Sequence, residues 1–147
     1  MTVTPLKAER LTALDGLTQA LNEAGLPVAD LDRPGRVFFR FTDAGETVGY
    51  GGLEGAAPDM LLRSLTVAPD MRNRGLGGRI VAALEREAAA LGVTRLHLLT
   101  NTAARFFAHQ GYAPSGRDDA PPGVADCEQF RSLCPASAAY LVKQVAP

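Results

Sequence analysis

Residues 72–79 read R-N-R-G-L-G-G-R, with arginine at 72, 74 and 79 and glycine at 75, 77 and 78. The segment sits between an apolar run, "LLRSLTVAP", and a strongly helical pattern. The first amides of a helix have no intrahelical partner, and the helix dipole adds positive potential there. Gly75, Gly77 and Gly78 would let an anion approach the backbone closely, and Arg72, Arg74 and Arg79 add charge. Such a segment suits a phosphate or pyrophosphate; the plain alternative is a surface loop with solvated arginines. Two nucleotide signatures fail here. Counting G-x-G-x-x-G from Gly75 puts Ile80 at the third glycine, and no lysine followed by Ser or Thr closes the run as a Walker loop would.

The surrounding elements follow from hydrophobic period and turn residues. Leu6, Leu11, Leu14, Leu17 and Leu21 predict a helix within residues 5–24, closed by Gly25-Leu-Pro27, with a short helical turn over 28–32. "RVFFRFT" (36–42) and "TVGYGGLE" (47–54) read as a hairpin turning at "DAGE"; "EGAAP" turns again into a third strand, "DMLLRSLTVAP". This antiparallel meander is unlike the opening strand of a parallel nucleotide-binding sheet. Ile80, Val81, Leu84, Ala88 and Leu91 form one stripe of a helix over 75–91, with Gly92 suited to its C-terminal cap. "TRLHLLT" (94–100) is the next strand, parallel to the third through a right-handed crossover. A short helix follows over 102–111, "YAPSG" begins another strand, Val124, Cys127, Phe130 and Leu133 predict a helix over 122–133, and "AAYLVKQV" is the last strand.

Composition narrows the function classes. The chain has 147 residues, 46% apolar and 21% charged, which suits a single domain over 1–147 with one substantial core. A formal net charge of −1 gives no electrostatic case for nucleic acid or an anionic membrane as partner. The N-terminal segment carries charges where a signal peptide has its apolar stretch, and no apolar run approaches the roughly 20 residues needed to span a bilayer. Two cysteines, Cys127 and Cys134, make no disulfide framework and point to a reduced, cytoplasmic setting.

Arg72-x-x-Gly75-x-Gly77 after "LTVAP" resembles the acyl-CoA signature Q/R-x-x-G-x-G/A of the GCN5-related N-acetyltransferase (GNAT) superfamily. "ARFFAHQGY" (104–112) resembles that family's A-x-x-F-Y-E-K-x-G-F segment, and the element order agrees over essentially the whole chain. The resemblance implies an α+β fold in α/β/α layers, with a mixed, mostly antiparallel central sheet and a splayed parallel strand pair binding acyl-CoA. It implies acetyl-CoA as co-substrate and a small-molecule amine as acceptor, and enzymes of this family often form a homodimer. The pantetheine arm would follow Leu65 and Val67. The pyrophosphate would rest on Arg72, Asn73, Arg74, Gly75, Leu76, Gly77 and Gly78, with Thr100 or Asn101 and Phe107 also at the cofactor.

Amine attack on a thioester needs a neutral amine, a polarised carbonyl and a proton for the departing thiolate. The resemblance implies a backbone N–H near Val67 for polarisation. The tyrosine that many relatives use as acid is replaced here by Phe107, leaving Tyr112, Tyr140 or water. Glu54 is either the base at the acceptor mouth or a solvated carboxylate at a hairpin end. Arg63 is either an anchor for a substrate carboxylate or oxyanion or a charge near the sheet edge. His97 and His109 read as structural or solvated. "F-x-S-L-C-P-x-S-A" (130–138), with "LLTNTAARFF", is similar to small GNAT enzymes of bacterial arsenic-resistance operons. Cys127 and Cys134 read as buried apolar cysteines, with no metal assigned. Phe107 also motivates a second expectation, a non-catalytic acyl-CoA-binding or sensing module.

Overall fold

The computed structural model describes residues 5–26, 28–29, 31–71, 75–127, 130 and 138–145. The strands are β1 (Lys7–Arg10), β2 (Arg36–Asp43), β3 (Glu46–Ala56), β4 (Asp59–Val67), β5 (Arg95–Thr100), β6 (Ala113–Pro114) and β7 (Ala139–Gln144). The helices are α1 (Asp15–Ala24), α2 (Leu76–Ala90), α3 (Ala104–His109) and α4 (Pro122–Ala125). One sheet runs in the order β1-β2-β3-β4-β5-β7-β6, antiparallel throughout except for the parallel pair β4–β5. The mixed α+β architecture with one parallel pair is the expected one.

Alternation along the strands sorts side chains to two faces. Phe39, Phe41, Leu53, Met60 and Leu62 form the main core with Ile80, Val81, Leu84 and Ala88 of α2, and Phe107 of α3 joins them. On the opposite face Phe38 meets Leu17 and Leu21 of α1, and Leu61 meets Val124 of α4. Helices therefore cover both faces. The glycines of "GYGG" serve this packing. A Cβ at Gly49 would run into the Thr66 carbonyl oxygen of β4 and come within 2.6 Å of Ile80 Cδ1, and one at Gly51 within 2.5 Å of Leu84 Cδ1. Both helix side chains settle directly on the β3 backbone.

Three expectations need correction. The helix expected within 5–24 begins only at Asp15, and Lys7–Arg10 pairs antiparallel with β2 as an edge strand. The leucine spacing misled because Leu6 belongs to the main core, whereas Leu11, Leu14, Leu17 and Leu21 belong to the α1 cluster. Described residues between Val28 and Asp32 form turns in place of a helical turn, with Leu31 packed under α1. The helix expected over 122–133 is interrupted: α4 ends at Ala125, where the Cys127 amide bonds back to the Val124 carbonyl at 3.0 Å, and Phe130 is again helical. Residues 128, 129 and 131–137 lie outside the described residues.

Candidate active site

β4 and β5 pair only through Asp59–Arg95, Met60–Leu96 and Leu61–His97. Beyond Leu61 they part, and a cleft of about 400 Å³ opens between them. Residues 62–67 line one side, Leu98, Leu99 and Thr100 the other, and Phe106 and Phe107 of α3 lie across it. Ala24 and Leu26, at the end of α1, also border it.

An irregularity in β4 accompanies the divergence. The ladder to β3 pairs Gly52 with Arg63 and then Tyr50 with Thr66, so Ser64 and Leu65 together oppose Gly51. Two residues against one is a β-bulge, which bends the strand and increases its twist. Ser64 takes a left-handed backbone with φ of 60°, a conformation that costs a non-glycine residue about 1–2 kcal/mol. Its hydroxyl accepts a hydrogen bond from Arg63 Nε at 3.1 Å.

Arg63 continues the chain of contacts away from the cleft. Its Nη1 meets Glu54 Oε1 at 2.7 Å, and its guanidinium lies 5.7 Å from the centre of the Phe38 ring. Gly52, the residue opposite Arg63, leaves room for that ring: a Cβ there would be 2.5 Å from Phe38 Cδ1. Glu54 Oε2 is 3.3 Å from Arg36 Nη2. The Arg63 side chain is 0% exposed and that of Glu54 5%. Arg63 thus borders the cleft as a residue while its charge is turned into the protein. Both Glu54 oxygens face guanidinium groups, and the residue also lines a second recess, of about 350 Å³, with Arg33, Arg36 and Cys127. Cys127 sits beside this group, where burial and the nearby Glu54 carboxylate push its thiol up to about 12. Cys134 lies outside the described residues, and no cluster of three metal-ligating side chains occurs among the described ones.

The glycines at the start of α2 fall beside the cleft. Gly75 precedes the helix in a left-handed conformation with φ of 70°. A Cβ at Gly77 would lie 3.1 Å from Phe106 Cζ, and one at Gly78 3.2 Å from the Gln110 side chain. Both glycines therefore let α3 approach α2, a packing role that the anion-cradle reading did not include. Leu76 turns its side chain into the main core. Arg72, Asn73 and Arg74 lie outside the described residues.

Leu65, Val67, Thr100 and Phe107 all line the cleft. Thr100 Oγ1 also accepts a hydrogen bond from the Ala103 amide at 3.0 Å, which organises the entry into α3. Asn101 is exposed and is not among the cleft residues. Tyr112 is elsewhere: it is buried beside Phe107, with ring centres 5.7 Å apart, and its hydroxyl donates to Glu85 of α2 at 3.0 Å. Burial, reinforced by the Glu85 charge, raises its pKa strongly.

A polar group that the sequence did not advertise closes the base of the V. His97 Nε2 is 2.7 Å from Asp59 Oδ1, and His97 Nδ1 is 2.7 Å from the Tyr140 hydroxyl. Arg95 Nε donates to the same Asp59 oxygen at 2.8 Å. Partial burial pushes the Asp59 pKa up, but hydrogen bonds from His97 and Arg95 outweigh it and leave it lowered. Burial lowers the His97 pKa against the raising effect of Asp59. A neutral ring with its proton on Nε2 donates to Asp59 and accepts from Tyr140. Identical spacing in another chain would not reveal this group, because its members come from β4, β5 and β7.

Residues 34–114 match the family model described as an acetyltransferase (GNAT) domain, and the chain belongs to that family. N-alpha-acetyltransferase 80 of Mus musculus is 43% identical over 53 residues, covering 36% of this chain and 17% of its own length. The amino-acid acetyltransferase of Azotobacter vinelandii is 34% identical over 70 residues, covering 48% of this chain and 16% of its own. The chain thus spans about a sixth of the length of these curated relatives. Among solved structures, N-acetylglutamate synthase from Neisseria gonorrhoeae, complexed with coenzyme A and N-acetyl-glutamate, superposes with a TM-score of 0.77 at 19% identity, covering 99% of this chain and 36% of that one. An aminoglycoside 6'-N-acetyltransferase complexed with coenzyme A gives a TM-score of 0.69 at 16% identity, covering 96% and 98%. These likenesses establish the fold.

Proposed function

We propose that this chain transfers the acetyl group of acetyl-CoA to the amine of a small molecule. The observation that carries the reading is the cleft itself, a gap between two parallel strands flanked by β4, whose lining residues Val67 and Phe106 lie against Gly77 in the first turn of α2. The pantetheine arm would run along Leu65 to Val67, with Phe106 and Phe107 as an apolar wall. The pyrophosphate would meet the amides that begin at Gly75 together with Arg72, Asn73 and Arg74. In the reaction a neutral amine attacks the thioester carbon, the C–S bond breaks, and the amine proton passes to water. Main-chain N–H groups of β4 between Ser64 and Val67 polarise the carbonyl. A thiolate leaves readily, so Phe107 in place of a proton donor is compatible with turnover.

The acceptor belongs to this proposal as well. Similarity of residues 130–138 to the arsenic-resistance-operon group favours an amine-bearing toxicant, handled in a cytoplasmic setting, with a homodimer as the working assembly. The test is to incubate the protein with acetyl-CoA and a panel of amines, amino acids and amine-bearing organoarsenicals while recording free thiol. Thiol release that depends on an amine, with the acetylated product identified by mass, is the expected result. Release with no amine of the panel would reject the transferase reading. Gly75→Glu should weaken CoA binding by about tenfold or more, and unchanged affinity would remove the anion cradle from the scheme.

A second reading has its own observation. Among the described residues lining the cleft there is no carboxylate, histidine or tyrosine. A module that binds acyl-CoA without turnover would need none, and tight CoA binding with no acceptor-dependent thiol release would select it.

A further inference from the structure

We propose that Glu54 and Arg63 are positioning residues for the β4 bulge, acting through the Ser64 hydroxyl. The two cleft-forming features of β4 coincide. Pairing with β5 ends at Leu61, and the extra residue of the bulge enters between Arg63 and Thr66. The residues that would bind the pantetheine arm on this side lie in the bulge (Leu65) or just after it (Val67), so its conformation sets the direction of residues 65–67. Serine is an unusual choice there, because it adopts the left-handed φ of 60° without the freedom of glycine. A specific contact compensates: the Arg63 Nε–H bond to Ser64 Oγ at 3.1 Å.

That bond is useful only if the guanidinium cannot turn away. Glu54 Oε1 holds Nη1 at 2.7 Å from one side, and the Phe38 ring stacks under the guanidinium at 5.7 Å from another. The ion pair is fully buried, so it loses little to screening, and removing one partner has a large effect. Charge at this place therefore shapes main chain. The order of action is Glu54, Arg63, Ser64, cleft.

The inference rests on the acyl-CoA reading for its ligand, and the test is built to fail separately from it. CoA affinity, read by calorimetry, needs no acceptor. The Ser64 and Leu65 amide signals, read by NMR in the ligand-free protein, need no ligand. Ser64→Ala should weaken CoA about fivefold, since the left-handed residue loses its partner. Ser64→Gly, which takes that backbone without strain, should stay within about twofold. Glu54→Gln should weaken CoA about tenfold and shift both amide signals. In a Ser64→Gly background the same Glu54→Gln change should cost less than about threefold, because its point of action has been bypassed.

Additive effects in that double-mutant cycle would overturn the proposal, as would a Ser64→Gly variant as weak as Ser64→Ala. If Glu54→Gln proves too unstable to isolate, the pair Ser64→Ala and Ser64→Gly still decides the role of the hydroxyl. Where an acceptor is turned over, the acid limb of the kcat/KM pH profile should survive Glu54→Gln. Its disappearance would make Glu54 a base and refute the positioning role. Failure of wild type to bind CoA at all would instead reject the acyl-CoA reading, leaving the amide shifts to judge the bulge.

Discussion

The closed and open ends of the β4–β5 pair are built from opposite materials. At the closed end, Asp59, His97 and Tyr140 tie three strands together with two 2.7 Å hydrogen bonds, and backbone pairing is complete. At the open end, a few residues on, the lining is Leu65, Val67, Leu98, Leu99 and Phe106, and the strands share no ladder. Directional bonds hold the vertex where the angle must not change. Apolar side chains line the mouth, where a ligand must enter and leave. A V-shaped cleft needs both, because a sheet otherwise zips and buries its edges.

This contrast can be broken most strongly at the vertex. His97→Leu removes both contacts and strands the buried Tyr140 hydroxyl, and should cost about 3 kcal/mol in chemical denaturation. CoA affinity should fall with it; a loss under about 1 kcal/mol would mean that the network is not what holds the strands. Acid should weaken the same place. The folded-state pKa of His97 is depressed, so the unfolded chain binds its proton first. The stability from the neutral ring is therefore full above the ordinary histidine value near 6.5 and is lost as pH falls through the depressed folded value. The Asp59 contribution, also from a lowered pKa, is lost at still lower pH. Wild type should lose stability on acidification below about pH 6.5 by more than His97→Leu does, as read from denaturation midpoints.

The mouth should answer differently. Gly77→Ala pushes a methyl toward Phe106, 3.1 Å from the ring, and so moves the wall of the cleft. Helix propensity favours alanine by about 1 kcal/mol, so stability should change little while CoA affinity falls about threefold to tenfold. Equal changes in both quantities would erase the distinction between mouth and vertex. Smallest of all is Tyr112→Phe. The hydroxyl bonds Glu85 outside the cleft, so its loss should cost about 1 kcal/mol of stability. Turnover should stay within about twofold, and a collapse of kcat would return Tyr112 to the reacting atoms.

Legibility in the sequence followed the range of the interaction. The meander, α2 and β5 were readable because period and turn residues are local properties. The side-chain partnerships were not. Glu54 looked like a hairpin end because it closes the strand read over 47–54, whereas β3 runs on to Ala56; unbroken pairing from the "DAGE" turn would set Arg36 against Leu53. A register shift between Phe41 and Thr42 moves Glu54 opposite Arg36 instead. No residue type announces that shift, and serine gives no signal for the bulge at 64. His97 and Tyr140 are 43 positions apart and meet only because β7 enters between β5 and β6. The glycines at 49, 51 and 77 were visible, but their reason lies in side chains of α2 and α3 and, at Gly49, the Thr66 carbonyl of β4, which approach them closely. In each case the missing information was register or approach between elements.

The two outer strands bear on how copies of the chain could associate. β1 presents the exposed Lys7, Glu9 and Arg10, and Glu9 is already engaged by Arg40 at 2.6 Å. β6 is two residues long and ends in Pro114, which has no N–H to offer. Charge at one margin and proline at the other oppose extension of the sheet by a neighbouring strand. A homodimer of this domain would then be joined through helices or loops, leaving each sheet, and the angle of its V, independent of the partner.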